Sequence, residues 1–414
     1  MLKNICNPDM CTACMACYNS CVHGAIVIKE DRYHFKFPLI EEEKCIGCNL
    51  CKSACPVLKP LDYHEPVKTC YAVASKDSED LLSSSSGAAS SILTGCVVEN
   101  GGVAYGCVME SVTKISHCRI DKVDDLYKIK GSKYVQSDIN HSYRQVRGDL
   151  MAGKKVIFTG TPCQIAGLRN FLRKNYDNLI TVDLVCHGVP SQGILQENAI
   201  EILCSKGLGG KLEDYKIKFR GKDKTLGIFY CLSFIDSNGK EDINHNTAYI
   251  KSFEEGIIFR ESCYNCPYAR PTRISDITIC DFWGLDNYTN QFNCKDGVSA
   301  VLLNTNKGEE LFHMCSDKMH YEEHNINHCI KYSGQLNKAF KRPRTRNYFL
   351  SKYEKGKFSI IANKALQGNE KFKKRSKFIH RFHLLSVYLH IDQILNHFDN
   401  DKFYYLKNFK ITGE

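Results

Sequence analysis

Several patterns that assign proteins to large functional classes are missing from this chain. No stretch approaches the roughly 18 consecutive apolar residues of a membrane-spanning helix. The first residues, MLKNICNPDM, show no basic-then-apolar export signal and no cleavage site. The chain also has no G-x-G-x-x-G fingerprint, no G-x4-G-K-[ST] loop and no C-x3-C-x2-C run. A nicotinamide Rossmann site, a P-loop nucleotidase and radical S-adenosylmethionine chemistry therefore have no support in the sequence.

Cysteine, in contrast, is abundant, with 23 among the 414 residues. Because no export signal precedes them, we expect a reducing compartment, the cytoplasm, where thiols stay free to bind metal. The composition is 43% hydrophobic and 25% charged, which excludes the disordered and fibrous classes. The length predicts two or three globular domains.

Eight of the cysteines form two matching runs with the spacing C-x2-C-x2-C-x3-C. In this spacing the first three thiolates of a run bind one [4Fe–4S] cluster and the fourth binds the other. A zinc knuckle would need two C-x2-C pairs and a disulfide framework would need export, so both alternatives fit poorly. Pro56 follows the second run, whereas Val22 replaces the usual proline after the first. The predicted ligands are Cys11, Cys14, Cys17 and Cys55 for one cluster, and Cys45, Cys48, Cys51 and Cys21 for the other.

The net charge of +10 is concentrated at the end of the chain. Residues 338–414 hold 18 Lys and Arg against 6 Asp and Glu, which leaves the rest near neutral. A solvated surface is the simplest interpretation of such a tail. Within it, Phe378 to Phe398 places apolar residues at helical spacing after the basic cluster Lys371 to Lys377. This pattern predicts an amphipathic helix that packs on the protein's own body, or binds an acidic protein or an anionic surface at the inner membrane face.

Changes of composition along the chain indicate four parts. Leu61 to Pro66 is typical of a linker. Strand-like segments at Cys70 to Ala74 and Val103 to Met109 flank a run of Ser, Gly and Ala at Ser83 to Ile92. We predict a two-cluster ferredoxin domain at 1–60, the N-terminal part of a second domain at 67–150, its C-terminal part at 151–335, and a basic, partly helical tail at 336–414.

The third part carries the clearest α/β pattern. Val156 to Gly160 is a short apolar strand, Thr161 can cap a helix, and Leu179 to Val185 is a second strand of the buried type. Strand, helix and strand at this length predict a right-handed βαβ unit with parallel strands. Cys163 and Cys186 would then lie just past the carboxyl ends of the two strands, at the edge where open α/β sheets place their sites.

A further C-x2-C pair, Cys263 and Cys266, follows later in the chain. Together with Cys163 and Cys186 it would supply four ligands for a third [4Fe–4S] cluster. By itself the pair fits zinc or a dithiol redox centre as well, and Cys280 is a substitute candidate for the ligand set. Other cysteines stand in apolar contexts and are expected to be small core residues, among them Cys96, Cys107, Cys204 and Cys231.

Five sequence motifs together resemble the coenzyme F-420 hydrogenase/dehydrogenase beta-subunit family, with the two-cluster ferredoxin module fused in front. The resemblance covers about Val67 to Tyr332 and implies a flavin, usually FAD, close to a [4Fe–4S] cluster in the same domain. The tail beyond Lys338 lies outside it, and Cys280 stands where the family has glycine. The motifs are GSKYVQS (Gly131 to Ser137), GTPCQIAGL (Gly160 to Leu168), DLVCHGVPS (Asp183 to Ser191), CYNCPYA (Cys263 to Ala269) and SDITICDFWG (Ser275 to Gly284).

The same resemblance implies flavin contacts in a small-residue loop and in the GSKY segment. Ordinary turn and helix packing would also explain such small residues. His187 follows a proposed cluster ligand and could deliver a proton near the flavin, although a lone histidine beside a strand end is more often structural. The implied flavin contacts are Ser85, Ser86, Gly87, Ala88, Lys133, Tyr134 and Thr161.

The predicted fold class is therefore a multidomain α+β and α/β protein. A bacterial-type dicluster ferredoxin precedes a mixed α/β flavin-binding body with a parallel βαβ unit, and a basic helical C-terminal tail follows.

The predicted function is an iron–sulfur flavoprotein oxidoreductase. Electrons would pass through [4Fe–4S] clusters to FAD, and on to or from a two-electron organic acceptor such as a deazaflavin or another small molecule. The redox partner would be ferredoxin or another oxidoreductase subunit. The alternative is a non-catalytic subunit that relays electrons between partner proteins, and the presence of flavin separates the two. No nucleic-acid partner is expected, since only the tail is basic.

Overall fold

The computed structural model describes residues 1–63, 66–223, 225 and 227–388, without the side chains of residues 372 and 375–388. The apolar pattern predicted for Phe378 to Phe398 therefore lies outside the residues whose side chains are described. None of the described helices is long and apolar enough to cross a membrane.

The two cysteine runs fold into one small unit at the start of the chain. Its three strands form an antiparallel sheet in the order β1-β3-β2. Each of its two short helices starts after a residue in the left-handed conformation, Met15 in the first run and Asn49 in the second. The two runs therefore fold alike, as their matching spacing predicts. The elements are β1 (Leu2–Asn4), α1 (Ala16–Ser20), β2 (Ile26–Glu30), β3 (Lys36–Glu41) and α2 (Leu50–Ser53).

Most strands of the body form one mixed sheet. Among the described residues its order is β14-β4-β13-β12-β8-β7-β5-β6, and the four strands β12, β8, β7 and β5 are parallel neighbours. A separate antiparallel sheet has the order β11-β10-β9. The strands are β4 (Thr69–Ser75), β5 (Val103–Ser111), β6 (Lys114–Ile120), β7 (Val156–Gly160), β8 (Leu179–Leu184), β9 (Lys216–Asp223), β10 (Gly227–Ile235), β11 (Glu241–His245), β12 (Ile277–Asp281), β13 (Ser299–Leu303) and β14 (Met319–His324).

Helices cover both faces of the mixed sheet, because its central strands are apolar on both sides. Val156 and Phe158 of β7 belong to one core, and Ile157 between them belongs to the other. The helices are α3 (Ser78–Ser83), α4 (Ala89–Glu99), α5 (Ser142–Met151), α6 (Pro162–Leu172), α7 (Gln192–Ser205), α8 (Ala248–Glu254), α9 (Asn306–Met314), α10 (Ile326–Tyr332), α11 (Arg346–Lys352) and α12 (Phe358–Tyr388). Short 3-10 helices occur at Pro8–Met10, Glu42–Lys44, Val123–Ile129, Leu212–Asp214, Glu261–Asn265, Leu285–Asn287, Cys294–Asp296, Ser316–Lys318, Gly334–Leu336 and Tyr353–Lys355.

The predicted βαβ unit is confirmed. Strands β7 and β8 pair in parallel, and α6 connects them. Helix α6 begins at Pro162 because Thr161 and Gln164 form a capping box, in which each side chain accepts a hydrogen bond from the other residue's backbone N–H. The helix ends at Leu172, since Arg173 adopts the left-handed conformation with φ 62°. The unit therefore presents Cys163 in the first turn of α6.

The N-terminal unit packs directly on the body of the protein. Its Cys14 and Ala16 share an apolar core with Tyr143, Ile165 and Leu168. The N-terminal unit and the βαβ unit therefore bury a common surface, which helix α6 of the βαβ unit contributes.

Gly167 permits the close approach of α6 to the N-terminal unit. A Cβ atom at this position would lie 2.9 Å from both Cβ and Sγ of Cys14, and 3.0 Å from the hydroxyl of Tyr143. Gly148 of α5 is a matched control, because a Cβ atom there would meet nothing within 4 Å.

We expect Gly167→Ala to destabilise the protein by about 1–3 kcal/mol, since the added methyl group overpacks this contact. Gly148→Ala should instead raise the free energy of unfolding by about 0.5–1 kcal/mol through helix propensity. Chemical denaturation of the two variants, together with their iron content, checks this. Equal stabilisation by both substitutions would contradict the close contact with Cys14.

Candidate functional site

The structure groups the eight N-terminal cysteines as their spacing predicts. Each group of four surrounds one cavity, and the cavity of the second group has a volume of about 260 Å³. The last cysteine of each run lies with the first three of the other run. Ligation of iron stays a prediction, but the side chains fit two cubanes in their donor type and grouping. The groups are Cys11, Cys14, Cys17 and Cys55, and Cys21, Cys45, Cys48 and Cys51.

The two groups differ in their exposure to solvent. Cys45 and Cys48 of the second group are exposed, whereas Cys14, Cys17 and Cys55 of the first are buried. The second group therefore lies at the surface, where another protein could reach it, and the first lies against the body.

Cys6 is a fifth thiol in the first group, and sequence reasoning missed it because it lies outside the C-x2-C-x2-C-x3-C run. It lines the same cavity. Hydrogen bonds from Cys6 lower the pKa of Cys11 to about 7 and that of Cys55 to about 6. Both thiols are thereby disposed to be thiolates, the form that binds metal.

A third group of four thiols lies at the carboxyl edge of the parallel strands. Cys163 stands in the first turn of α6, Cys186 follows β8, and Cys263 and Cys266 come from the loop before β12. Burial raises the pKa of Cys263 to about 12 and that of Cys266 to about 11, with smaller contributions from the neighbouring thiols. The pKa of Cys186 is raised first by burial and then by the charges of the other three. Metal binding would have to displace these protons, so it would couple to pH.

Cys280, the substitute candidate for the third cluster, lies with Cys329 and not with the third group of thiols. Its Sγ lies 3.7 Å from the Sγ of Cys329, and its pKa is influenced by Cys329 and Cys70, not by the third group. The geometry therefore favours Cys163, Cys186, Cys263 and Cys266 as the four-thiol set.

Within the part of the chain that the structure describes, no three His, Cys, Asp or Glu side chains converge on a point that could hold a single metal ion. The four thiolates of a cubane bind four different irons, so they surround a volume.

The cysteines expected in the core are placed variously. Cys96 and Cys231 are buried and Cys107 is partly buried. Cys204 is exposed on α7, so the prediction is wrong for this residue. The segment around Cys204 is apolar and therefore suggests burial, but Cys204 lies on the solvent-facing side of helix α7.

A buried arginine lies between the first and third groups. The positive charge of Arg260 acts to lower the pKa values of Cys11, Cys163 and Cys263, and its Nε donates a hydrogen bond of 3.0 Å to Oε1 of Gln136. Its side chain lies among Phe35 and Phe37 in the N-terminal unit, and the residue is 2% exposed. Burial lowers the pKa of Arg260 and Asp31 is near enough to act to raise it, but no ion pair joins Arg260 to a carboxylate of the described residues. A buried cation needs an opposing charge, and anionic clusters on both sides would supply it.

An ion pair inside the protein holds the loop that carries Cys263 and Cys266. Arg273 and Asp183 are 3.0 Å apart and are 2% and 0% exposed. Arg273 also donates hydrogen bonds to the carbonyl oxygens of Tyr268 and Leu184. The pair therefore ties the cysteine loop to the end of β8, next to Cys186.

A cavity of about 540 Å³ adjoins the third group. Cys186 belongs to both, since it lies among the four thiols and also lines the cavity. The cavity therefore shares a wall with the third cysteine group.

Six of the seven implied flavin contacts line this cavity. Gly87 is not among the lining residues and packs against the sheet instead. A Cβ atom at this position would lie 2.0 Å from the carbonyl oxygen of Val73 and 2.6 Å from the backbone nitrogen of Ser299. Close packing against strands β4 and β13 thus accounts for this glycine. The six residues are Ser85, Ser86, Ala88, Lys133, Tyr134 and Thr161.

The small-residue loop leads into an uncapped helix N-terminus. Helix α4 has 11 residues, and Ala88 before it adopts the left-handed conformation with no side-chain cap. Lys130 and Lys133 also line the cavity; the ammonium group of Lys130 pairs with Asp80 at 2.5 Å, and that of Lys133 donates to the carbonyl oxygen of Lys130 at 2.6 Å. Unpaired backbone N–H groups and lysines are what a pyrophosphate requires, so these residues fit the phosphate end of a dinucleotide.

Residues from the separate sheet complete the cavity wall. Arg220 of β9 forms a bidentate ion pair with Asp281, with distances of 2.6 and 2.9 Å, and donates to the carbonyl oxygen of Ser85 at 3.0 Å. Its guanidinium also lies 4.9 Å from the ring of Tyr230 and 6.0 Å from that of Trp283. Sequence reasoning missed this constellation. Asp281 and Trp283 lie in a recognised motif, but nothing in the sequence marked Arg220.

His187 lines the cavity as well, within an aromatic environment. Its ring centroid lies 4.8 to 5.4 Å from those of Phe253, Phe259 and Phe340, and its Nε2 is 3.2 Å from the carbonyl oxygen of Glu254. These contacts fix the ring at the cavity wall. Proton delivery by His187 remains a prediction.

Comparison with known proteins bears on these assignments. Residues 153–328 match the family described as coenzyme F420 hydrogenase/dehydrogenase, C terminus of the beta subunit, and residues 10–58 match a 4Fe-4S dicluster domain. Residues 153–328 belong to this family. The family that the motifs resemble is thus confirmed for residues 153–328, and the two-cluster domain in front of it for residues 10–58.

Two curated relatives are similar to most of the chain. The F subunit of F(420)H(2) dehydrogenase from Methanosarcina mazei is 22% identical over 328 residues, which cover 76% of this chain and 85% of that protein. Coenzyme F420-dependent sulfite reductase of Methanocaldococcus jannaschii is 23% identical over 329 residues, which cover 75% of this chain but only 46% of that protein. Among solved structures, a chain of the F420-reducing [NiFe] hydrogenase complex from Methanosarcina barkeri is 18% identical and aligns with 77% of this chain and 95% of its own length, at a TM-score of 0.42.

Proposed function

We propose that this chain is an iron–sulfur flavoprotein oxidoreductase that exchanges electrons between a redox partner protein and a two-electron organic acceptor, such as a deazaflavin. The position of Cys186 carries the proposal, because this thiol belongs to the third cysteine group and also lines the large cavity. A metal group and an organic cofactor could thus lie side by side. When bound, [4Fe–4S] clusters transfer single electrons and a flavin couples them to two-electron chemistry.

The three cysteine groups are arranged in series from the surface to the cavity. The second group has exposed thiols. It is joined to the first group through the chain, because each cysteine run contributes three thiols to one group and one thiol to the other. Cys14 of the first group is near Cys163 of the third, and burial followed by the charge of Cys163 raises its pKa. This series supports entry of electrons at Cys45 and Cys48, with ferredoxin or another oxidoreductase subunit as the partner.

The residues of the cavity have separable roles in this proposal. The N-terminus of α4, Lys130 and Lys133 would hold the pyrophosphate of FAD. Arg220, paired with Asp281, would hold Tyr134, Tyr230 and the carbonyl group of Ser85 in place in the cavity wall. The alternative, a subunit that only relays electrons between proteins, has no use for a cavity of this size beside the third group.

Cofactor analysis of the full chain, purified anaerobically, tests the proposal. We expect about twelve irons, about twelve sulfides and one flavin per chain, as three cubanes and one FAD require. The flavin should be reduced by reduced ferredoxin and by reduced deazaflavin. Full iron with no bound flavin, after incubation with FAD, would favour the relay function. Zinc in place of iron would contradict the ferredoxin assignment as well.

A further inference from the structure

A pair of thiols stands in the wall of the large cavity, outside the three groups of four. Cys280 of β12 lines the cavity, and its Sγ lies 3.7 Å from the Sγ of Cys329 in α10. Cys329 is 1% exposed, whereas Cys280 is partly exposed. One member of the pair can therefore be reached from the cavity, and the other is buried directly behind it.

The surroundings hold the two sulfurs in contact. Both thiols lie in one apolar cluster with Phe282, Leu285 and Ala300. The hydrogen bond between them raises the pKa of Cys280 and lowers that of Cys329, while burial raises both. Two thiols at this contact distance can form a disulfide once one of them loses its proton, since the thiolate is the attacking species.

We propose that Cys280 and Cys329 are a redox-active dithiol that exchanges with a low-molecular-weight disulfide entering the cavity. After the pair has lost one proton to solvent, Cys280 passes its own proton across the hydrogen bond to Cys329, and the resulting Cys280 thiolate attacks one sulfur of R–S–S–R and forms a mixed disulfide. The R–S–S–R bond breaks, and the departing thiolate takes the proton from Cys329. The thiolate of Cys329 then attacks the Cys280 sulfur, forms the intrachain disulfide and releases the second R–S⁻, which takes a proton from solvent. Two protein thiols are oxidised and one disulfide is reduced to two thiols.

This exchange goes beyond the proposed function and needs neither flavin nor cluster. Reduction of the intrachain disulfide back to two thiols would rest on the proposed function if the two electrons arrive through the cysteine groups. The disulfide would then be an electron acceptor that reacts in the same cavity. The experiment below measures the exchange without any electron donor, so its result is separate from the cofactor analysis.

The chain contains a matched control pair. Cys96 and Cys315 are also joined by a hydrogen bond, are 3% and 0% exposed, and do not line the cavity. If contact between thiols were sufficient for exchange, this pair would react as well.

The test uses the full chain, purified anaerobically and equilibrated with glutathione mixtures from fully reduced to fully oxidised. After acid trapping and tryptic digestion, mass spectrometry should find the peptide that contains Cys280 linked to the peptide that contains Cys329. The linkage should rise and fall reversibly across the series. It should drop at least about tenfold in Cys329→Ser, where Cys280 should instead retain glutathione as a mixed disulfide. Cys294→Ser, which changes another cysteine of the same tryptic peptide, should leave the linkage unchanged.

Three results would overturn the proposal. Cys280 could form a mixed disulfide with glutathione in the unaltered chain without resolution by Cys329, which would show that the pair does not close. Cys280 could remain a free thiol at every glutathione ratio. The control pair Cys96 and Cys315 could oxidise to the same extent, which would show that the reaction has no relation to the cavity.

Discussion

Replacing Cys163 by serine is expected to remove about four irons per chain and to leave about eight, because one lost thiolate destabilises a cubane whose assembly is linked to local folding. Electron transfer between the N-terminal cysteine groups and the cavity should be lost with them, since Cys163 is close to Cys14 of the first group and to Cys186 of the third. Iron and sulfide analysis, with spectroscopy of the reduced protein, measures both effects.

Cys280→Ser is the matched control for this experiment. Both substitutions remove a partly exposed thiol, but the sulfur of Cys280 lies next to that of Cys329 and not in the third group. We expect this variant to keep its full iron content. Loss of four irons from Cys280→Ser and retention in Cys163→Ser would show that Cys280 replaces Cys163 as a ligand.

The second large effect is expected at Arg260. Its buried positive charge lies near Cys11, Cys163 and Cys263, so it should stabilise the reduced, more negative state of the clusters on both sides. Arg260→Met should lower the reduction potential of the adjacent clusters by roughly 90 mV, which corresponds to a loss of about 2 kcal/mol of electrostatic stabilisation. A redox titration followed by electron paramagnetic resonance would measure the change.

Arg260→Lys separates charge from hydrogen bonding at this site. Lysine keeps the charge but loses the planar fork that donates to Gln136 and to the carbonyl oxygen of Lys36. We expect a smaller shift of potential than in Arg260→Met, with the same iron content. Unchanged potentials in Arg260→Met would mean that no redox group lies beside the guanidinium.

Local spacing explains why much of this architecture could be predicted from the sequence. The strands of the βαβ unit are continuous apolar runs, and Thr161 and Pro162 mark the start of α6 within the chain. The grouping of the eight N-terminal cysteines follows from their spacing, because in C-x2-C-x2-C-x3-C runs the fourth cysteine joins the first three of the other run. Such features depend on residues close together along the chain.

The residues that were missed come together only through the tertiary fold. Arg220 reaches the cavity from a separate sheet and meets Asp281 across 61 positions of sequence. Arg260 is brought beside Cys11 from 249 positions away. Neither residue carries a local pattern that distinguishes it from an ordinary surface arginine. The contact of Cys280 with Cys329 is likewise created by the packing of α10 on the sheet.

The placement of helix α6 has a mechanical consequence. Cys163 stands in its first turn, and Gly167 one turn later presses against Cys14, so a single turn of helix, rising about 6 Å, separates the points where two cysteine groups attach. Electron tunnelling falls steeply with distance, and a hydrogen-bonded helix is among the stiffest spacers a protein can build. One turn of a rigid helix thereby fixes the distance between the two cysteine groups, and motion of the surrounding loops does not change that distance.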